Sequence, residues 1–414
     1  MIKSMPWRTI VAIWLCWAVL TIGYQTVVKM RITDLERPDL ALQWTQTCTF
    51  KDSQDQQPYL IDPFMNEQVC WDSEFYLSIA TAGYDDPLVR STPVKDVPAA
   101  RLSLNYAFFP LYPLIMRFFY MPLRFFGLAS IPAATLAGVI ISLLGTLLAM
   151  FALFDLARGQ GQNDDTALRA VWYLLIFPMG FFLVMVYTEG LFVGLVFMTL
   201  ALIRRRCWWG AGLLAALATL ARPVGGLLMV PLAWAWWQDH ALKDLASSGK
   251  ERWQALAKAA AVLLPGGMFL LWKFSYQGWA FDAVQTAFFG RRLFDVIGSL
   301  HQWNRAWQSM WLGNPATTVY YAIEFGALVL ALTACIWMWK YQRAEAIFGA
   351  LLVLVAFLSG VPQGMPRYVM GVPAIYLMLA SMGKNKVFDR AWSMASLLLF
   401  ALHSLLFAFD FWVN

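Results

Sequence analysis

Charge is what this chain has least of. Asp, Glu, Lys and Arg make up 14% of its 414 residues against 60% hydrophobic ones, and the mean hydropathy is +0.56. A water-soluble globule of this size needs far more polar surface, so that class is excluded. Cysteine is scarce too: there are five, at no metal-ligand spacing, which excludes a zinc or iron–sulfur framework. The three histidines, His240, His301 and His403, have no partners at ligand spacing and take no role. The net charge of +6 points to no nucleic-acid partner, because Lys and Arg are scattered beside apolar segments, where they orient a chain in a lipid bilayer.

What is present is a series of apolar runs close to the roughly 20 residues that cross a bilayer. The first, 6–28, has Lys3 and Arg8 at its N-terminal end and lacks a clear small-x-small cleavage site, so it reads as a retained signal-anchor helix. A polar segment follows, too long for a turn, and is expected to form a small structured cap. Residues 107–127 are aromatic and apolar but broken by three prolines and two arginines. Further runs cover 128–157, 170–187, 188–203, 210–220, 224–237, 257–276, 317–340, 346–361, 368–382 and 391–413. The expectation is an all-α polytopic membrane protein of about eleven spans. Its parts are a first helix at 1–28, an outer loop at 29–127, core helices at 128–276, a second outer loop at 277–316, and C-terminal helices at 317–414.

Basic residues fix the orientation. Lys3 and Arg8, Arg204 to Arg206, the 243–258 segment and the 384–390 loop all fall on the cytoplasmic side if 107–127 lies along the outer interface instead of crossing. The other face then collects the polar interruptions: the loop WDSEFYLSIATAGY at 71–84, the YTEG corner at 187–190, the ARPVGG break at 221–226, the loop at 278–314, and the PQGMPR corner at 362–367. Irregular backbone at membrane depth is tolerated where it lines a cavity, which is the expected role of the Arg222–Pro223 break.

Residues 72–82 read as a short helix with Asp72 at its cap, a Phe75, Ile79, Ala82 stripe, and Gly83 ending it. Backbone N–H groups and the helix dipole keep a carboxylate ionised there. Glu74 is its neighbouring acid, and Glu189 at the hairpin tip is costly unless paired or wet. Arg222, with Arg291, Arg292 and Arg367 on the same face, suggests a guanidinium clamp for a phosphate. Asp85 and Asp86 read as turn residues that keep a divalent metal open as a minor alternative. Cys48 and Cys70 share the polar loop and pair plausibly if that loop faces an oxidising compartment.

Taken in order, WDSEFYLSIATAGY, AFFPLYP, YTEGLF, ARPVGG, FFGRR and MPRY resemble the second mannosyltransferase family of glycosylphosphatidylinositol assembly, PIG-V. The resemblance implies a GT-C glycosyltransferase that takes a sugar from a polyprenyl-phosphate carrier on the non-cytoplasmic face. It implies further that Asp72 activates the acceptor. YTEG is similar to the family's Tyr-Ser-Glu with Thr188 for Ser, whereas ARPVGG departs from an Arg-x-Asn-Gly element at Pro223 and Val224. Trp71, Tyr76, Tyr112 and Tyr187, within these motifs, are the candidate sugar or acceptor contacts.

The expected reaction is an inverting transfer of mannose or a related hexose to a membrane-associated glycolipid, glycan or protein, with no cofactor required. There is no Asp-x-Asp pair on the cytoplasmic side of the kind nucleotide-sugar enzymes use with a metal. The absence of an Asn-x-Ser/Thr sequon suits a prokaryotic source and an inner-membrane location; a eukaryotic member would sit in the endoplasmic reticulum membrane. A transporter or lipid flippase is the alternative from another class, and a non-catalytic transferase subunit a third.

Overall fold

The computed structural model describes residues 6–32, 64–87, 89–94, 101–239, 249–290, 295–411 and 413. Helices dominate them. In chain order they are α1 (Trp7–Arg31), α2 (Asp72–Thr81), α3 (Leu111–Phe125), α4 (Ser130–Gly159), α5 (Asp164–Leu175), α6 (Glu189–Arg204), α7 (Trp208–Ala221) and α8 (Met229–Gln238). There follow α9 (Lys250–Lys273), α10 (Tyr276–Ala287), α11 (Val296–Leu312), α12 (Pro315–Met338), α13 (Arg343–Phe357), α14 (Met365–Tyr368), α15 (Pro373–Met382) and α16 (Lys386–Ala408). A two-stranded antiparallel ribbon, β1 (Ser91–Pro93) and β2 (Arg101–Ser103), pairs Thr92 with Leu102 between α2 and α3.

Among the described residues, α1, α4, α9, α12 and α16 are long and apolar enough to cross a bilayer. The protein is an integral membrane protein. The expected count of about eleven spans is not reached by this criterion, because several apolar runs fold as shorter or broken helices; α7 has 14 residues and α15 has 10. The run at 170–187 is the clearest correction. Pro178 lacks an N–H and disfavours helix at the residue before it, so α5 stops at Leu175 and a 3-10 turn at Gly180–Leu183 follows. The run at 368–382 is likewise split, with Pro373 starting α15 as its first helical residue.

Non-helical backbone at that depth needs partners, and α4 supplies them. Ser142 Oγ lies 2.7 Å from the Met185 carbonyl and 3.0 Å from that of Tyr187, and Thr146 Oγ1 lies 2.7 Å from that of Leu183. The Val186 N–H donates to the Gln68 carbonyl at 3.1 Å. The irregular corner before α6 is thereby fastened to both α4 and the segment that precedes α2.

The contact between α4 and α6 is backbone against backbone. A Cβ on Gly190 would fall 2.3 Å from the Ser142 carbonyl oxygen, and one on Gly194 would fall 2.3 Å from that of Gly145. Gly190 and Gly194 form a G-x-x-x-G face, which lets helices in lipid approach closely when little hydrophobic force separates lipid from protein contacts. This joint sets the position of Glu189, the first residue of α6.

Helix α3 takes up most of the aromatic stretch 107–127. Its 15 residues reach about 22 Å at 1.5 Å each, short of a bilayer core. Tyr112, Met116 and Tyr120 are buried, whereas Phe118, Met121, Phe125 and Phe126 are exposed, so it has one greasy outward face.

Candidate active site

Helix α2 begins at Asp72, and Trp71, not Asp72, is its N-cap residue. The expected capping role for Asp72 is therefore corrected: the carboxylate sits in the first turn, where the macrodipole still favours its charge. Trp71 adopts φ 53°, ψ −111°, a conformation that costs a non-glycine residue about 1–3 kcal/mol. What holds it is the Tyr187 hydroxyl, which donates to the Cys70 carbonyl at 3.0 Å and accepts from the Asp72 N–H at 3.2 Å. Downstream, Gly83 (φ +101°) ends the helix as expected, and Phe75 and Ile79 are buried; Ala82, expected on the same stripe, is exposed.

Asp72 belongs to a row of charges that alternate in sign. Its Oδ2 lies 3.7 Å from Arg367 Nη1, Arg367 Nε lies 3.3 Å from Glu189 Oε1, and the same Glu189 oxygen accepts from Arg222 Nη2 at 2.9 Å. Exposure falls from both ends of the row toward its middle: the Asp72 and Arg222 side chains at the ends are 27% and 18% exposed, Arg367 and Glu189 between them 6% and 1%. Rings frame both cations. Arg367 sits 5.4 Å from the Phe182 ring and 5.5 Å from that of Tyr187, and Arg222 sits 5.6 Å from that of Phe192. Glu189 thus serves as the buried counter-ion of two arginines, which explains a glutamate at that depth.

Asp72, Arg222 and Arg367 border a cavity of about 840 Å³, whose charged lining also includes Lys273 and Asp282. Much of the rest of the wall is apolar or aromatic, including Phe109, Phe281, Val224 and Leu352. The break at 221–226 lines it as expected: Arg222 is extended (φ −151°, ψ 139°) and Pro223–Leu228 form a 3-10 helix. Lys273 and Asp282, which pair across the α9–α10 corner, escaped the sequence reading. A signal existed: Lys273 closes an apolar run at the end assigned to the outer face, where a cation is uncommon.

Of the aromatic candidates, Trp71 and Tyr76 line the cavity. Burial, reinforced by Asp72 and Glu189, pushes the Tyr76 phenol up, so it stays protonated. Tyr112 and Tyr187 stand behind the wall; the Tyr112 hydroxyl lies 3.0 Å from both the Gly138 carbonyl and Ser142 Oγ. Glu74 does not line the cavity either, because a residue two positions from Asp72 points about 200° away around the helix. It is buried at 1% exposure.

Asp85 accepts from the Tyr106 hydroxyl at 2.8 Å and Asp86 from Ser78 at 2.7 Å, so both brace the loop after α2. Among the described residues, no group of three or more His, Cys, Asp or Glu could hold a metal. Arg291, Arg292 and Cys48 lie outside the described residues; Cys70 is buried.

The chain is 34% identical to GPI alpha-1,6-mannosyltransferase 2 of Mus musculus over 159 residues, 37% of this chain and 29% of that protein. It is 32% identical to the protein of the same name from Cricetulus griseus over 159 residues, 37% of this chain and 28% of that one. The match therefore spans under a third of the length of these relatives. Among solved structures it is similar to ArnT from Cupriavidus metallidurans bound to undecaprenyl phosphate, with 14% identity, 95% of this chain and 76% of that chain covered, and a TM-score of 0.44. It is also similar to the Archaeoglobus fulgidus oligosaccharyltransferase AglB in complex with an inhibitory peptide and a dolichol-phosphate, with 12% identity, 96% and 56% covered, and a TM-score of 0.43. The family described as Mannosyltransferase (PIG-V) matches residues 19–286, more than half of the 414, and the chain belongs to that family.

Proposed function

We propose that this protein is an inverting mannosyltransferase that moves the sugar from a polyprenyl-phosphate carrier to a membrane-associated acceptor at the non-cytoplasmic face, with Asp72 as general base. The observation that carries the reading is the junction, in one cavity, of a partly exposed carboxylate, two framed arginines and an apolar wall. Membership of the PIG-V family supports the sugar.

The chemistry follows from the residues. Asp72 accepts the proton of the acceptor hydroxyl as its oxygen attacks the anomeric carbon from the side opposite the phosphate. The sugar–phosphate bond breaks and the lipid phosphate leaves with the electron pair. Arg222, Arg367 and Lys273 are the cavity cations available to its charge. A lipid monophosphate develops less charge than a nucleoside pyrophosphate, so these cations suffice without a divalent metal. The aromatic wall suits a polyprenyl chain and sugar faces.

The test is purified protein in lipid nanodiscs, assayed with polyprenyl-phosphate mannose and a panel of glycolipid, glycan and peptide acceptors. Wild type transfers mannose with inversion, and a chelator leaves the rate unchanged. Asp72→Asn, close in shape, is expected to reduce turnover by about a hundredfold or more, the usual worth of a positioned base. Unchanged turnover in Asp72→Asn removes the assignment.

A further inference from the structure

Glu324 lies within α12, an apolar membrane span, and is 1% exposed. A carboxylate in such a place is costly unless its oxygens are satisfied. Here both are bound to one short stretch of backbone: Oε1 accepts from the Gly364 N–H at 3.0 Å and Oε2 from the Met365 N–H at 2.8 Å. Gly364 is the left-handed residue (φ +93°) that opens α14, and the Arg367 N–H in turn donates to the Gly364 carbonyl at 3.1 Å. The guanidinium so placed lies 3.3 Å from Glu189 and 3.7 Å from Asp72.

We propose that Glu324 is a positioning residue for the transfer reaction. It does not line the cavity. Its carboxylate clamps the Gly364–Met365 turn, and the turn aims Arg367 at Asp72. The inference rests on the reading of Asp72 and Arg367 as the reacting end of the cavity. A clamp of this kind needs two acceptor oxygens. Glutamine keeps one and presents an NH2 group to the second backbone N–H, and aspartate is one methylene too short.

The experiment is a double-mutant cycle in nanodiscs with Glu324→Gln, Arg367→Lys and the pair, reading kcat and the KM for polyprenyl-phosphate mannose. Glu324→Gln is expected to lower kcat tenfold or more with KM within twofold, and to cost threefold or less once Arg367 is already lysine. Gly364→Ala, which places a Cβ on a left-handed residue, is expected to reproduce the kcat loss from the other side of the clamp. Wild-type turnover in Glu324→Gln overturns the proposal, and so does an equal loss in both backgrounds, which marks a merely structural role. If Glu324→Gln does not fold, wild-type turnover in Gly364→Ala overturns it alone. The Asp72→Asn result stands apart, since it judges the base and not the clamp.

Discussion

At the scale of single residues, the site is a question of which charges face which. Glu189 holds two arginines with one oxygen at 1% exposure. Removing one member of a buried ion pair leaves the others in a low-dielectric place, which typically costs about 3–5 kcal/mol. Glu189→Leu is therefore expected to lower stability by about that amount, seen as a fall in melting temperature of the detergent-solubilised protein; an unchanged melting temperature would show that water or lipid phosphate takes the counter-ion's place. The sequence announced Arg222 because it breaks an apolar run, Asp72 because it opens a short helix in the polar loop, and Arg367 because it falls on their face. It concealed the pairing, because Asp72, Glu189, Arg222 and Arg367 come from four separated stretches. Glu324 carries the same signal, a carboxylate inside an apolar run, but nothing in the side-chain pattern records that it meets the Gly364 and Met365 N–H groups 40 and 41 residues away.

Elements decide how firmly those residues are held. Helix α6 carries Glu189 at its first position, and its glycines press against α4 with no room for a side chain. Gly194→Leu is expected to force the helices apart at a cost of about 1–3 kcal/mol or more and to lower activity by moving Glu189. Leu213→Ala, at a half-exposed position of α7, serves as the control; equal melting temperatures of the two variants would defeat the argument. The α2 helix and its Gly83 stop were legible from the sequence, as was the Arg222 break. The corner at 176–188 was not, since its apolar composition matches a spanning helix and only Pro178 and Gly180 hint otherwise. There, hydroxyls of α4 satisfy the backbone, an interaction that hydropathy does not register.

For the whole molecule, the main question is sidedness. Helix α6 runs about 24 Å from Glu189 to Arg204. Its far end gathers Arg204 and Arg205 on Asp155, with Arg206 and Lys258 on Asp239. One end of the bundle is thus basic and structural and the other holds the cavity; the rule that basic connections stay in the cytoplasm is the ground for proposing that the cavity faces the non-cytoplasmic side. A cysteine at Thr286, in the cavity wall, is expected to react with a membrane-impermeant maleimide in intact cells, while exposed Cys207 reacts only after lysis. The opposite pattern would invert the assignment.

The α4–α6 joint also bears on motion. Two backbones in contact have no rotamers to exchange, so neither can slide past the other without a clash. Asp72 is tied through Tyr187 to the corner that α4 holds, and Glu189 and Arg367 join the same body. The wall bearing Lys273 and Asp282 is less confined, with those side chains 34% and 45% exposed. Any widening of the cavity is therefore expected at that wall, with the acid and its arginines as the fixed jaw of a vice.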